Sequence, residues 1–312
     1  MFDPSLELVV CGSSSRSMPT FGEWERVVLS HTYDDIDYIS CHAYYEEKDG
    51  DLGSFLASSV DMDEFIESVI ATIDHVKAAK RSDRVVHISF DEWNVWYNTR
   101  FETVDKITGA QNWPTAPRLL EDAYSVADAV VVGSLLISLL RRADRVTSAS
   151  LAQLVNVIAP IMTEPGGFAW KQTTFFPFAV TSRLATGMSI PTHVECDRYE
   201  TAIYGSVPVI DAVTTFDSTT GSVSLFMVNR SQADSVTLSF DVAAFGAVLD
   251  ASARTLSDDD VYAVNTLDDP ERVVLRQNET LVISEGTAVI ELPPVSWTAI
   301  SLQVAPSTPA RL

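Results

Sequence analysis

The sequence predicts an α/β unit followed by an all-β one, and two observations carry that reading. Through about residue 190, short β-rich runs alternate with helical stretches. Beyond about His193 the chain turns to short β-forming runs separated by turn residues at sandwich spacing. The first part contains four strand–helix units in series, half of what a closed (β/α)8 TIM barrel of about 250 residues requires. The expected architecture is a partial barrel over residues 1–190 and a C-terminal β-sandwich over residues 191–312.

The units follow in order. Leu6 to Val10 is a continuous apolar run that ends in Cys11-Gly12-Ser13-Ser14-Ser15, a strand feeding a loop. Thr20 to Tyr33 forms a helix, with Thr20 as N-cap and Glu23 completing a capping box. A second strand spans Ile36 to Tyr44. Asp61 to Lys80 repeats apolar residues at Phe65, Ile66, Val69, Ile70, Ile73 and Val76, one face of a helix. Its acids lead and its lysines trail, as the macrodipole favours. Val85 to Phe90 is a third strand, apolar enough to be buried on both faces. Asn98 to Pro117 is a long loop with Gly109, Pro114 and Pro117, and loops of that length without regular structure are usually functional or mobile. A helix from Leu119 to Arg142 leads to a fourth strand within Arg145 to Val157. Thr163 to Gly167 is a turn, and Thr173 to Thr186 a last helix.

In the second part the expected strands are Ser206 to Val213, Ser222 to Asn229, Ser235 to Phe240, Val273 to Leu275, Thr280 to Ser284, Ala288 to Leu292 and Ser296 to Gln303. An open half-barrel would leave two sheet edges and one face needing cover, so the sequence reads as cut short on its amino side.

Composition excludes several classes of function. Hydrophobic residues make up 46% and charged residues 21%, which fits a folded globular chain rather than a disordered or fibrous one. The formal net charge of -22 repels phosphate backbones and anionic headgroups, so neither nucleic acid nor a membrane surface is an expected partner. The apolar stretch Ala129 to Leu140 is shorter than the ~20 residues of a membrane span. Bracketed by Asp128 and Arg141-Arg142, it reads as a buried core helix. Cys11, Cys41 and Cys196 are too few and too scattered for a disulfide framework, which fits a reducing, cytoplasmic compartment. The stretch Met1 to Cys11 carries Asp3 and Glu7 without a basic start, unlike a signal peptide. No Gly-rich phosphate loop, G-x-S-x-G elbow or H-E-x-x-H motif occurs, and His31, His75 and His87 lack partners at ligand spacing; no cofactor and no metal are expected.

Barrel chemistry sits at the carboxy-terminal ends of the strands. The outstanding candidate there is Glu92, just past Val85 to Phe90 and set among Trp93, Trp96 and Tyr97, aromatic walls suited to a sugar face. Strand alternation puts Asp91 and Glu92 on opposite faces, so that only one points into the mouth. The second strand ends in Cys41-His42-Ala43-Tyr44, with His42 and Tyr44 sharing a face.

Four segments together carry a family resemblance: Ile88-Ser89-Phe90-Asp91-Glu92-Trp93-Asn94-Val95-Trp96-Tyr97, Val10-Cys11-Gly12-Ser13-Ser14, Leu151 to Pro160 and Phe175-Phe176-Pro177-Phe178. The chain resembles the carboxy-terminal portion of an α-L-arabinofuranosidase of glycoside hydrolase family 51. The resemblance implies the last four strand–helix units of the (β/α)8 barrel followed by the sandwich, and an exo-acting enzyme that retains anomeric configuration. It implies Glu92 as catalytic nucleophile, His42 and Tyr44 as contacts to nucleophile and sugar, Trp96 as an aromatic wall of the arabinose subsite, and Gln153 as a hydroxyl-binding amide. The substrate would be an arabinofuranosyl oligosaccharide, and the intact enzyme a homo-oligomer, commonly a hexamer.

One departure stands out. The family's acid/base is a Glu in an Asn-Glu pair, and the pair present here, Asn278-Glu279, falls in the sandwich as an expected surface turn. No acid/base is therefore assigned in this chain. A retaining glycosidase needs two carboxyl groups about 5 to 5.5 Å apart, so the chain alone is expected to be inactive without a missing amino-terminal half. The alternatives are a non-catalytic carbohydrate-binding or assembly protein derived from such an enzyme, and a related retaining glycosidase acting on xylosides or β-glucans.

Overall fold

The computed structural model describes residues 3, 5–113, 115 and 120–305. Pro114 and Pro117 of the expected loop, the expected helix start at Leu119, and Met1, Phe2 and Pro4 of the amino end lie outside them. Four parallel strands, β1 (Val9–Val10), β2 (Tyr38–Tyr45), β3 (His87–Val95) and β4 (Val146–Leu151), form a sheet in that order. The first is shorter than Leu6 to Val10 because Leu6 and Leu8 are exposed, and Leu8 is held instead by Asp37. The third runs five residues further than expected, so the Asp91 to Val95 segment belongs to the strand itself.

Helix α1 (Glu23–Thr32) begins after Gly22, whose φ of 82° closes the preceding turn. Thr20 and Glu23 therefore do not make the expected box. Glu25 does that work from inside the helix: its carboxylate accepts from Gly22 N at 2.7 Å and from Ser13 N at 2.8 Å. Helices α2 (Leu52–Leu56) and α3 (Ser59–Lys80) follow β2, and α3 buries the apolar face read from its spacing. After β3 the expected loop contains short helical turns: α4 (Asn98–Arg100), a π turn at Phe101–Asp105 and a 3-10 turn at Ala110–Asn112. Helix α5 (Val126–Arg141) starts well after Leu119, because Ser125 and Asp128 cap each other there. Every residue from Val126 to Leu139 is buried. The hairpin of β5 (Ile161–Thr163) and β6 (Ala169–Lys171) carries the expected turn, and α6 (Phe175–Leu184) packs against α5.

The rest is antiparallel. In chain order come β7 (Met188–Ile190), β8 (Arg198–Thr201), β9 (Gly205–Pro208), β10 (Ile210–Asp217), β11 (Ser222–Asn229), β12 (Val236–Asp241), β13 (Val248–Leu256), β14 (Arg276–Gln277), β15 (Val282–Ser284), β16 (Thr287–Leu292) and β17 (Ser296–Val304). A six-stranded sheet has the order β14-β13-β17-β11-β10-β7, a three-stranded one the order β12-β16-β15, and β8 pairs with β9. The strands β7, β8, β13 and β14 were not expected, the expected strand Ser206 to Val213 is divided between β9 and β10, and Val273 to Leu275 is not a strand. Between the two larger sheets lies a core that includes Ile210, Leu225, Ile290, Leu292, Ile300 and Leu302. The other face of the six-stranded sheet, with Val213, Phe226, Val228 and Trp297, joins α5 and the parallel sheet in a second core. No helix among the described residues is long and apolar enough to cross a membrane.

Candidate active site

Parallel strands β2 and β3 carry the candidate chemistry toward their carboxy ends. Ser40 pairs with Ser89 but His42 pairs with Glu92, so β3 holds one residue more than β2 across the same interval. Against β4 the same stretch again gains a residue, Phe90 pairing with Ala149 and Trp93 with Leu151. This is a β-bulge, a device that re-aims side chains. It corrects the alternation argument: Asp91 and Glu92 both reach His42. Asp91 Oδ1 lies 3.0 Å from the imidazole Nε2 and Glu92 Oε2 3.4 Å from Nδ1, so the ring stands between the two carboxylates.

Two residues along β2, the Tyr44 hydroxyl donates to Glu92 Oε2 at 2.9 Å. Burial, followed by the hydrogen bond and charge of Glu92, pushes the Tyr44 phenol above its usual range, so it remains a donor at any physiological pH. Trp96 stands edge-on to Tyr44, ring centroids 5.2 Å apart. Glu92 itself is exposed. The carboxylate is thus held at one oxygen by an imidazole and a phenol while remaining open to solvent.

The ring of aromatics expected around Glu92 is smaller than anticipated. Trp93 is fully buried and packs against Phe178, facing the core behind the sheet. The Tyr97 hydroxyl turns away to donate to Asp128 Oδ1 at 2.7 Å. Gln153 lies just beyond β4, exposed, on a loop whose Ala152–Gln153 peptide is cis. Its backbone N donates to Ile158 O at 3.2 Å. Asn278-Glu279 sits in a turn after β14, remote in topology from the parallel sheet, with Asn278 donating to Thr255 and Glu291.

One residue near the site escaped the sequence reading. Asn94, fully buried two positions after Glu92, donates to Ala152 O and Ile158 O, both at 2.6 Å, and so ties the Gln153 loop to the Glu92 strand. A buried amide in a strand otherwise rich in apolar residues was the available signal, since such a group must find partners.

Comparison with known proteins gives this geometry a context. Residues 91–296 match the family model described as the α-L-arabinofuranosidase C-terminal domain. An exo-α-(1→6)-L-arabinofuranosidase of Bifidobacterium longum is 52% identical over 96% of this chain and 59% of its own length. An intracellular exo-α-(1→5)-L-arabinofuranosidase of Streptomyces lividans is 51% identical over 99% of this chain and 46% of its own. Among solved structures, a family 51 α-L-arabinofuranosidase from Bifidobacterium longum superimposes with a TM-score of 0.87 at 42% identity, covering 95% of this chain and 59% of that one. An α-L-arabinofuranosidase from Thermotoga maritima, solved as an arabinose complex, gives 0.78 at 26% identity, covering 97% of this chain and 59% of that one. The chain spans about half to three-fifths of the length of these relatives.

A parallel sheet with carboxylates and aromatics toward its carboxy ends, backed by antiparallel sheets, thereby falls within the glycoside hydrolases. More narrowly, the chain belongs to the α-L-arabinofuranosidases of family 51 and corresponds to their carboxy-terminal portion.

Proposed function

We propose that this chain is the nucleophile-bearing portion of a retaining, exo-acting α-L-arabinofuranosidase that hydrolyses terminal arabinofuranosyl residues of oligosaccharides inside the cell. In this reading β1 to β4 and their helices are the last four units of a (β/α)8 barrel, residues 1–190, followed by a β-sandwich, residues 191–312. The observation that carries it is the Glu92 carboxylate, exposed toward the carboxy ends of the parallel strands and held by Tyr44 at 2.9 Å and His42 at 3.4 Å.

Glu92 attacks the anomeric carbon; His42 and Tyr44 hold its oxygen in line and keep the carboxylate from rotating away. Trp96 walls the sugar, and Gln153 contacts its hydroxyls. Retention of configuration requires a second carboxyl about 5 to 5.5 Å away, first as acid and then as base. Asp91 does not meet that need, because the imidazole stands between it and Glu92. The acid/base and the rest of the pocket belong to a segment not among these 312 residues. General acid/base assistance alone is worth about 10²- to 10⁴-fold, so the chain by itself is inactive.

The test is release from an aryl α-L-arabinofuranoside. The chain alone should give none, and adding a polypeptide covering the unmatched amino-terminal part of a relative should restore it. Glu92→Gln should abolish the restored activity. Robust hydrolysis by the chain alone would overturn its incompleteness, and restored hydrolysis indifferent to Glu92→Gln would overturn the nucleophile.

A further inference from the structure

The segment joining β13 to β14, residues 257–275, leaves the antiparallel sheet and crosses to the carboxy-terminal side of the parallel one. Helix α5 follows β3, so its first turn lies on that side. Two of its leading N–H groups, otherwise without intrahelical partners, donate to this segment: Val126 N to Ala263 O at 3.1 Å and Ala127 N to Val261 O at 3.0 Å. These carbonyls flank Tyr262. The backbone there is held further by Tyr262 N donating to Asp260 Oδ1 at 3.0 Å. Asn265, three residues on, accepts from Val273 N and donates to Val273 O and Lys171 O.

The side chain is also tethered at its tip. The Tyr262 hydroxyl donates to Glu47 Oε1 at 3.0 Å. Glu47 lies three residues beyond Tyr44, at most about 10 Å of extended backbone, and the Tyr44 hydroxyl touches Glu92. Yet Tyr262 stays 52% exposed. An aromatic fixed at backbone and hydroxyl, and still half exposed, loses little entropy on contact and offers a flat apolar surface. Its neighbours Glu46, Glu47, Asp258 and Asp260 are acidic, while Arg272 is paired to Asp258 and Asp260. A phosphorylated or otherwise anionic ligand is disfavoured there, whereas a neutral sugar is not.

We propose that Tyr262 is a carbohydrate-contacting residue that the antiparallel part contributes to the rim of the Glu92 site, a platform for the sugar unit next to the terminal arabinofuranose. The proposal rests on the reading of Glu92 given above, and it assigns a share of substrate selection to a residue outside the parallel sheet.

Binding of arabinose and of arabinotriose to this chain, carrying Glu92→Gln to prevent turnover and complemented by the amino-terminal polypeptide described above, followed by saturation-transfer NMR at millimolar sugar, tests it. Arabinotriose should bind more tightly than arabinose, and Tyr262→Ala should shrink that ratio roughly fivefold. Tyr262→Phe, which keeps the ring and loses the Glu47 bond, should retain most of the ratio and guards against misfolding of the Ala variant. A ratio unmoved by Tyr262→Ala, with both sugars still bound, overturns this proposal and leaves the Glu92 reading intact. Failure of the complemented assembly with Tyr262 intact to bind either sugar overturns both.

Discussion

At the scale of single residues, Asp128 gives the sharpest test of how the site strand is anchored. Its carboxylate is buried at the head of α5, accepts from Tyr97, Ser125 N and Ser125 Oγ, and is pushed up to about 6 chiefly by that burial. An unfolded aspartate titrates near 3.9. As pH rises from 4 the unfolded chain ionises first, so the stability that the neutral buried acid contributes is lost by the time pH passes 6, on the order of 3 kcal/mol. Asp128→Asn should flatten this slope: the stability difference between native and variant, from urea unfolding at pH 4, 5 and 7, should move against the native residue as pH rises. Parallel curves would refute the assignment. Period-two spacing put His42 and Tyr44 on one face and the strand end singled out Glu92, because these are local features, whereas contact between the pair and Glu92 was implied by the family resemblance alone. The sequence could not disclose that Asp91 joins them, since a bulge is defined by the register of β2 and β4 against β3 rather than by β3 itself.

Among the elements, α5 was the most legible in character and the least in extent. A run apolar on every side demands burial on every side, and the structure supplies it from α3, α6 and the six-stranded sheet. Its start was misjudged because the apolar residues before Ser125 continue the same texture; only the reciprocal Ser125–Asp128 cap marks the boundary. Strand β13 was missed for the opposite reason, its sequence VLDASARTL being small and polar where it faces solvent. Strand β11 was found, though it lacks alternation, because both of its faces are covered. Helix α5 also meets β17 closely: a Cβ on Gly133 would stand 2.1 Å from Trp297 Cδ1 and 2.6 Å from its Nε1. In an open helix Gly→Ala gains about 1 kcal/mol, but here overpacking costs about 1–3 kcal/mol, more if the indole cannot move. Gly133→Ala should therefore lower the urea midpoint and perturb tryptophan fluorescence. A rise in stability would show that the helix and the sheet are not in such close contact.

Over the whole molecule, parallel and antiparallel parts are joined by one buried charge. Arg230, 2% exposed, donates to Leu56 O, Pro208 O, Ser59 Oγ and Ser134 Oγ and pairs with Asp211 at 2.7 Å. Asp211 is shared with Arg141 of α5. Removing one partner of such a network leaves groups buried and unpaired, a loss of about 3–5 kcal/mol. Arg230→Ala should cost at least about 3 kcal/mol by urea unfolding, and a loss under about 1 kcal/mol would mean that the network is solvated. The change from strand–helix units to short β-forming runs was visible in the sequence pattern, but this joint was not, because Arg230 and Ser59 lie far apart in sequence and nothing local marks them as partners. The six-stranded sheet has protein on both sides, and one of those sides belongs to α5. Anyone transplanting the carboxy-terminal region onto a new scaffold would have to carry that helix along, or provide a substitute for it.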